Sequence, residues 1–544
     1  MKRYNCRMQK PSGIFGAVFF AAVFVFAFLS CNKAPEGKAE GETTDAGTII
    51  YSHPSNVGPL NPHLYNPNQM FAQCMVYEAL IQLNDDGTIG PALAESWDIS
   101  EDGTVYTFHL REDVQFSDGE PFNAEAAVLN FKAVMGNAAR HAWLGIMDKI
   151  EKCEAAGTYD FRLTLNAPYY PCLYDLALPR PFTFLSPKSF PDDGDTSKDI
   201  KSPVGTGPWK LVETKLGESD LFERNDLYWG EKPKAARVLV KVIPDPVTRA
   251  LAFEAGDINF IYGMGQVNYD TFNRLRNSEG VTGTISGPLG TVNLALNSGK
   301  GPTKELAVRQ AIQHLVNKEE IIRGVTLGTQ IAADTYFAPT IPYCDVGLKP
   351  YQYDGTLAAK ILDEAGWKIL PGKTIREKNG TALEIDFCFI GNDAAQKSIA
   401  EVLQGQVLKL GVSFNLVGEE EDSFYSRQKS GDFGMIFSDT WGPPYEPHAM
   451  VSSMLLPSHA DYMAQAGLPM KAELDGKIRQ VFVTTDVEER STLYKDILTI
   501  LHEQAVYLPV YYMTMFEVHR TAEMRNVRFA PDVYHISFGA ITLE

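Results

Sequence analysis

A chain of 544 residues with 44% hydrophobic and 22% charged side chains is too long for one ordinary hydrophobic core and too apolar for a disordered scaffold, so two large lobes are expected. Its formal charge of −19 excludes nucleic acid as a partner. The seven cysteines, at positions 6, 31, 74, 153, 172, 344 and 388, include no CxxC pair, which excludes a metal finger and leaves room for at most two disulfides.

In chain order, the first feature is an export signal at 1–30. Lys2, Arg3, Arg7 and Lys10 supply a basic start, and the apolar run from Ile14 to Leu29 falls short of the ~20 residues a spanning helix needs. Ser30 followed by Cys31 reads as a lipoprotein cleavage site with Cys31 as the lipidated residue, although Phe28 stands where such sites usually carry Leu. Residues 31–48 are small and polar without apolar periodicity, the composition of a flexible tether.

The body opens with a β-branched strand, Thr48 to Ser52, and a Pro/Asn/Gly-rich turn from Pro54 to Pro62. Alternation predicts a strand over Tyr106 to Leu110, and apolar spacing a helix over Ala124 to Phe131. A strand over Val238 to Ile243 precedes a helix over Arg249 to Ala255. A further helix starts near Thr303, whose hydroxyl is placed to cap it, with Val308, Ala311, Ile312, Leu315 and Val316 on its apolar face. The helix from Val487 to Gln504 leads into an apolar strand, Val506 to Met513. Such alternation predicts mixed α/β lobes. The stretches Gly287 to Asn297 and Val506 to Met513 supply two crossings for a hinge. The N-terminal lobe then spans 49–288, with an inserted subdomain, and is completed by 513–544; the second lobe is 289–512.

Ala92 to Phe122, Gly205 to Leu211 (GTGPWKL), Arg224 to Pro233 (RNDLYWGEKP) and Asp363 to Trp367 (DEAGW) resemble the family 5 extracellular solute-binding proteins, and the resemblance covers nearly all of the chain after residue 48. It implies the α/β, two-lobed periplasmic-binding-protein fold of the large peptide/nickel-binding type. Asn56 to Gln73, RHAW from Arg140, LALPRPF from Leu176, TWGPPYEPH from Thr440 and PSHAD from Pro457 are similar to the nickel-binding members. Carried over, this implies Ni(II) taken up with an organic chelator, His459 as the metal ligand, and Arg140 and Arg180 as clamps on chelator carboxylates. Tyr65, Met70, Trp143, Trp441 and Tyr445 become pocket walls. His53, near the first strand where nickel proteins carry an aromatic residue, is a possible second ligand.

The chemistry is coherent: imidazole suits Ni(II), and the planar guanidinium fork binds carboxylates bidentately. The resemblance further implies an extracytoplasmic, lipid-anchored monomer that serves an ABC permease and ATPase complex. Ser438, Asp439 and the stretch Asp532 to Ile536 depart from the nickel pattern and leave the chelator open. A di- or oligopeptide receptor of the same fold is the alternative, with Asp439 or Glu446 as partner for a peptide ammonium. No GxSxG elbow, HExxH helix or P-loop indicates an enzyme.

Overall fold

The computed structural model describes residues 47–65, 68–445 and 447–544. The signal segment, Cys31, the tether as far as residue 46, and Glu446 lie outside the described residues. The β-branched run at the start of the body forms the strand Thr48–His53, parallel to Arg237–Val242, and the strands Ser219–Arg224 and Trp209–Lys215 complete a four-stranded sheet. A second four-stranded sheet, Ala94–Ile99, Val105–Leu110, Asp160–Leu165 and Ile150–Ala155, is wholly antiparallel. The helix Ala124–Gly136 packs on it, and Asn123 caps that helix by accepting from the Ala126 amide at 3.0 Å. Alternation along Val105–Leu110 turns Tyr106, Phe108 and Leu110 inward.

The other lobe is built on a mixed six-stranded sheet in the order Ile331–Ala332, Tyr507–Met513, Gly290–Leu296, Met435–Phe437, Glu384–Ile390 and Ser413–Glu419. Gly290–Leu296 is buried along its whole length, as expected of a central strand covered on both faces. Helices Leu306–Leu315, Ala394–Leu408 and Val487–Glu503 contribute their apolar faces to the same core, which draws on residues from Val292 to Tyr512. Separate cores gather residues from Leu80 to Phe184, and residues from Ile49 to Leu289 together with Met515, Met524, Phe538 and Ile541. The strand Phe516–Arg520, from the far end of the chain, lies between Phe260–Gly263 and Val281–Ile285.

The two crossings run side by side: the Ser286 amide donates to the Met515 carbonyl at 3.0 Å and the Leu289 amide to the Met513 carbonyl at 2.9 Å. The second crossing therefore lies at the end of the Tyr507–Met513 strand and not within it. Thr303 also departs from expectation. It belongs to a short 3-10 turn, Gly301–Lys304, and its buried hydroxyl donates to the Asn297 and Lys300 carbonyls, while the helix starts at Leu306. Cys74, Cys153, Cys172, Cys344 and Cys388 form no disulfide among the described residues. Among the described residues no helix is long and apolar enough to cross a membrane.

Candidate functional site

The segment after Met435–Phe437 leaves the six-stranded sheet and carries Trp441 to the other lobe, where it packs against the cores of both lobes. Tyr445 follows it and is buried among the residues of the Leu80 to Phe184 core. Together with Tyr65, Trp143, Arg180 and His459 they line a pocket of about 440 Å³, completed by Ala449, Ser453, Leu456 and Tyr534. The aromatic rings form a chain around it. Tyr65 meets Trp143 edge-on at 6.0 Å, Trp143 lies 6.0 Å from Tyr445, Tyr445 stands perpendicular to Trp441 at 6.2 Å, and Trp441 meets His459 at 5.8 Å.

Two hydrogen bonds fix the first of these rings. The Trp143 indole N–H donates to the Tyr65 hydroxyl at 2.7 Å, and that hydroxyl stands 2.6 Å from His141 Nδ1. An indole only donates, so the hydroxyl accepts from Trp143 and shares one further hydrogen with His141 Nδ1. Burial, and then the Arg140 charge, push the His141 pKa down to about 4, so the ring is neutral at pH 7. The Arg180 guanidinium lies 4.5 Å above the Tyr65 ring, a cation–π contact that keeps its charge at the pocket wall. Burial lowers the Arg180 pKa, opposed by Tyr445 and Tyr65, and its Nε is buried without a hydrogen bond among the described residues.

His459 stands at the start of the helix Ala460–Gln465. Its Nδ1 is 2.9 Å from an oxygen of Asp461, a fully buried carboxylate that also accepts from the Ser438 and Tyr336 hydroxyls, each at 3.2 Å. Nδ1 therefore carries the proton and donates it to Asp461, which leaves the Nε2 lone pair available. Metal-binding imidazoles are oriented by a carboxylate in this way. Among the described residues no group of three or more His, Cys, Asp and Glu side chains is gathered to hold a metal ion, so this wall offers one nitrogen donor and one unpaired cation.

The remaining expected residues are not brought into the pocket lining. Arg140 is exposed on the short helix Ala138–His141 and acts on Tyr65 and His141 through its charge. Met70 opens the helix Met70–Val76 and is half-buried. His53 ends the first strand; its Nδ1 is 3.0 Å from the Ser55 carbonyl, its ring lies 5.1 Å from Phe71, and burial lowers its pKa. Asp461 and Tyr534 are functional neighbours that the sequence reading missed. Asp461 had a local signal, a carboxylate two residues beyond His459, whereas Tyr534 arrives from the tail at a distance no local pattern reports.

Two lobes, two crossings and a concave aromatic pocket with a few converging polar groups define a receptor for a small solute. The model of the bacterial extracellular solute-binding proteins, family 5 Middle, matches residues 88–462, and the chain belongs to this family. It is 50% identical over 519 residues to the nickel-binding periplasmic protein of Escherichia coli (strain K12), covering 95% of this chain and 98% of that protein. The crystal structure of NikA from Brucella suis in complex with Fe(III)-EDTA aligns with a TM-score of 0.89 at 53% identity, over 91% of this chain and 100% of that one. The dipeptide-binding protein of Escherichia coli (strain K12) is more distant, 25% identical over 499 residues, with 87% of this chain and 91% of that protein covered.

Proposed function

We propose that this chain is the extracytoplasmic substrate-binding component of an ABC importer, which captures a nickel–chelator complex between its lobes and delivers it to a permease and ATPase complex. The observation that carries the reading is the pairing of His459, whose Nδ1 is held by Asp461, with the half-buried Arg180, whose Nε has no hydrogen-bond partner among the described residues, in one aromatic pocket. The imidazole supplies one ligand through Nε2, and the chelator supplies the rest of the coordination sphere. Arg180 holds a chelator carboxylate and Arg140, from the rim, a second. Tyr65, Trp143, Trp441 and Tyr445 enclose the organic part, with Met70 beside them. His53 stands outside this arrangement because it does not line the pocket.

A nickel-binding relative and a neighbour holding a metal chelate support the reading. In the same proposal the segment 1–30 directs export, Cys31 carries the lipid anchor, the protein acts as a monomer, and the lobes are 49–288 with 513–544 and 289–512. Calorimetry tests the ligand class. Nickel with histidine or with a tricarboxylate is expected to bind at least tenfold more tightly than the bare aqueous ion, which leaves Arg180 facing empty space. Equal affinities would overturn it. Mass spectrometry of ligand released from natively purified protein separates this reading from a peptide receptor.

A further inference from the structure

Beside the aromatic pocket lies a larger cavity of about 710 Å³, and the two share Trp441 and His459 as a common wall. Asp439 lines the larger one, with Tyr425 and Phe437. Its placement follows from the chain. The segment after the strand Met435–Phe437 keeps its pairing with Gly290–Leu296, through the Ser438 amide to the Asn293 carbonyl and the Thr440 amide to the Thr291 carbonyl, both at 2.9 Å. On this segment the Ser438 hydroxyl donates to Asp461, the carboxylate that orients His459, and Asp439 is the next residue. Asp439 and His459 are thereby tied to one short framework.

The Asp439 carboxylate lacks a counter-ion. It accepts from the Asn293 amide at 3.2 Å and makes no ion pair among the described residues. The other acid and the one lysine in the lining, Asp422 and Lys429, are both exposed and of opposite sign, so Asp439 sets the sign of the interior. Burial pushes its pKa up to about 7 against the Asn293 bond, and the like charge of Asp393 adds to the rise. A carboxylate in such surroundings gains most from a cation. The rings of Trp441 and Tyr425 in the same lining, the latter 45% exposed, suit an organic cation better than a bare ion.

We propose that this cavity is a subsite for a protonated amine carried by the chelator, with Asp439 as its counter-ion. The subsite rests on the nickel-chelate reading above and narrows it: the solute is a metal complex with a carboxylate toward Arg180 and an uncoordinated ammonium group toward Asp439. Opposite charges at its two ends would fix its orientation across His459.

Nitrilotriacetate bearing an aminobutyl arm supplies the probe, and its N-acetylated form carries the same arm without the charge. Calorimetry with the nickel complexes of both, above neutral pH, is expected to show the charged arm bound at least about tenfold more tightly by the parent. The difference should vanish in Asp439→Asn, whose side-chain carbonyl still accepts from the Asn293 amide. Equal affinities in the parent would overturn the subsite and leave the ligand reading standing, whereas failure of both complexes to bind would overturn the two together. Binding of the charged-arm chelator just as tightly without nickel would also overturn it, because Asp439 would then serve a metal-free, peptide-type ligand.

Discussion

The Asp461 carboxylate decides what His459 is able to do. Buried and held by Ser438 and Tyr336, it cannot turn away to solvent, so the proton it receives from Nδ1 fixes both ring orientation and tautomer. Asp461→Asn is therefore expected to weaken nickel-chelate binding by about 10- to 100-fold, the usual effect of losing an orienting carboxylate. His459→Ala should weaken it further, and titration calorimetry reads both. Arg180→Ala removes the cation over Tyr65 and should cost a few kcal/mol of affinity for a carboxylate-bearing chelate. Full affinity in that variant would exclude carboxylate clamping by Arg180. His63 and His141 set an acid limit on stability. Burial pushes their pKa values down to about 3 and about 4, below the ~6.5 of an unfolded imidazole. Above pH 6.5 both states are neutral and nothing is lost. As pH falls below that value the unfolded chain binds protons that the fold refuses, and stability declines until the folded pKa is passed. Denaturant unfolding at pH 7 and pH 4.5 should show a smaller drop for His63→Gln than for the parent.

At the scale of elements, the clearest dependence is of the pocket on the tail. Phe538 is fully buried and packs edge-on against Tyr51 at 5.7 Å and Phe260 at 6.0 Å, which pins the segment that brings Tyr534 to the pocket wall. Phe538→Ala should cost about 3 to 5 kcal/mol of unfolding free energy. It should also loosen the Tyr534 wall and so lower chelate affinity, whereas a substitution on the far side of the six-stranded sheet would leave affinity alone. Much of the element pattern was legible from local chemistry. The β-branched run after residue 47 gives the first strand, the alternation in YTFHL gives a half-buried one, and the apolar stripe through Leu493, Ile497 and Leu501 gives the helix Val487–Glu503. Thr303 misled because a hydroxyl ahead of an apolar stripe signals a cap only if its own backbone can enter the helix, and here it closes a 3-10 turn instead. The tail's return to the first lobe was legible only through the family resemblance. The pairing of Phe516–Arg520 with Phe260–Gly263 joins residues more than 250 apart, which no periodicity records.

At the scale of the whole molecule, ligand capture is a matter of how the lobes meet. Residues 170 to 175 of the first lobe touch the second in several places. The Tyr170 amide donates to the Phe482 carbonyl at 2.9 Å, the Tyr170 and Tyr494 hydroxyls are 2.8 Å apart, and Arg490 lies 4.1 Å above the Tyr170 ring. The buried His448 reaches Asp175 at 3.3 Å. These contacts involve none of the residues of the two antiparallel crossings at 286–290 and 513–516, so a rotation about the crossings would break them together. Arg180 sits between Leu178 and Phe182 of the Leu80 to Phe184 core, whereas His459 adjoins Ala460 of the core of the other lobe; a ligand held by Arg180 and His459 therefore touches both sides only when the lobes are closed. Such a ligand adds its binding energy to the closed state alone and shifts the population toward it. Small-angle scattering should show a smaller radius of gyration with the nickel chelate than without ligand, and no change with bare nickel. Tyr170→Ala removes both the hydroxyl contact and the Arg490 stacking surface without touching the pocket lining. It should enlarge the unliganded protein and lower chelate affinity by the cost of closing, while the bound profile stays that of the parent. Superimposable profiles with and without a chelate shown to bind would mean that recognition takes place on a rigid, already closed receptor.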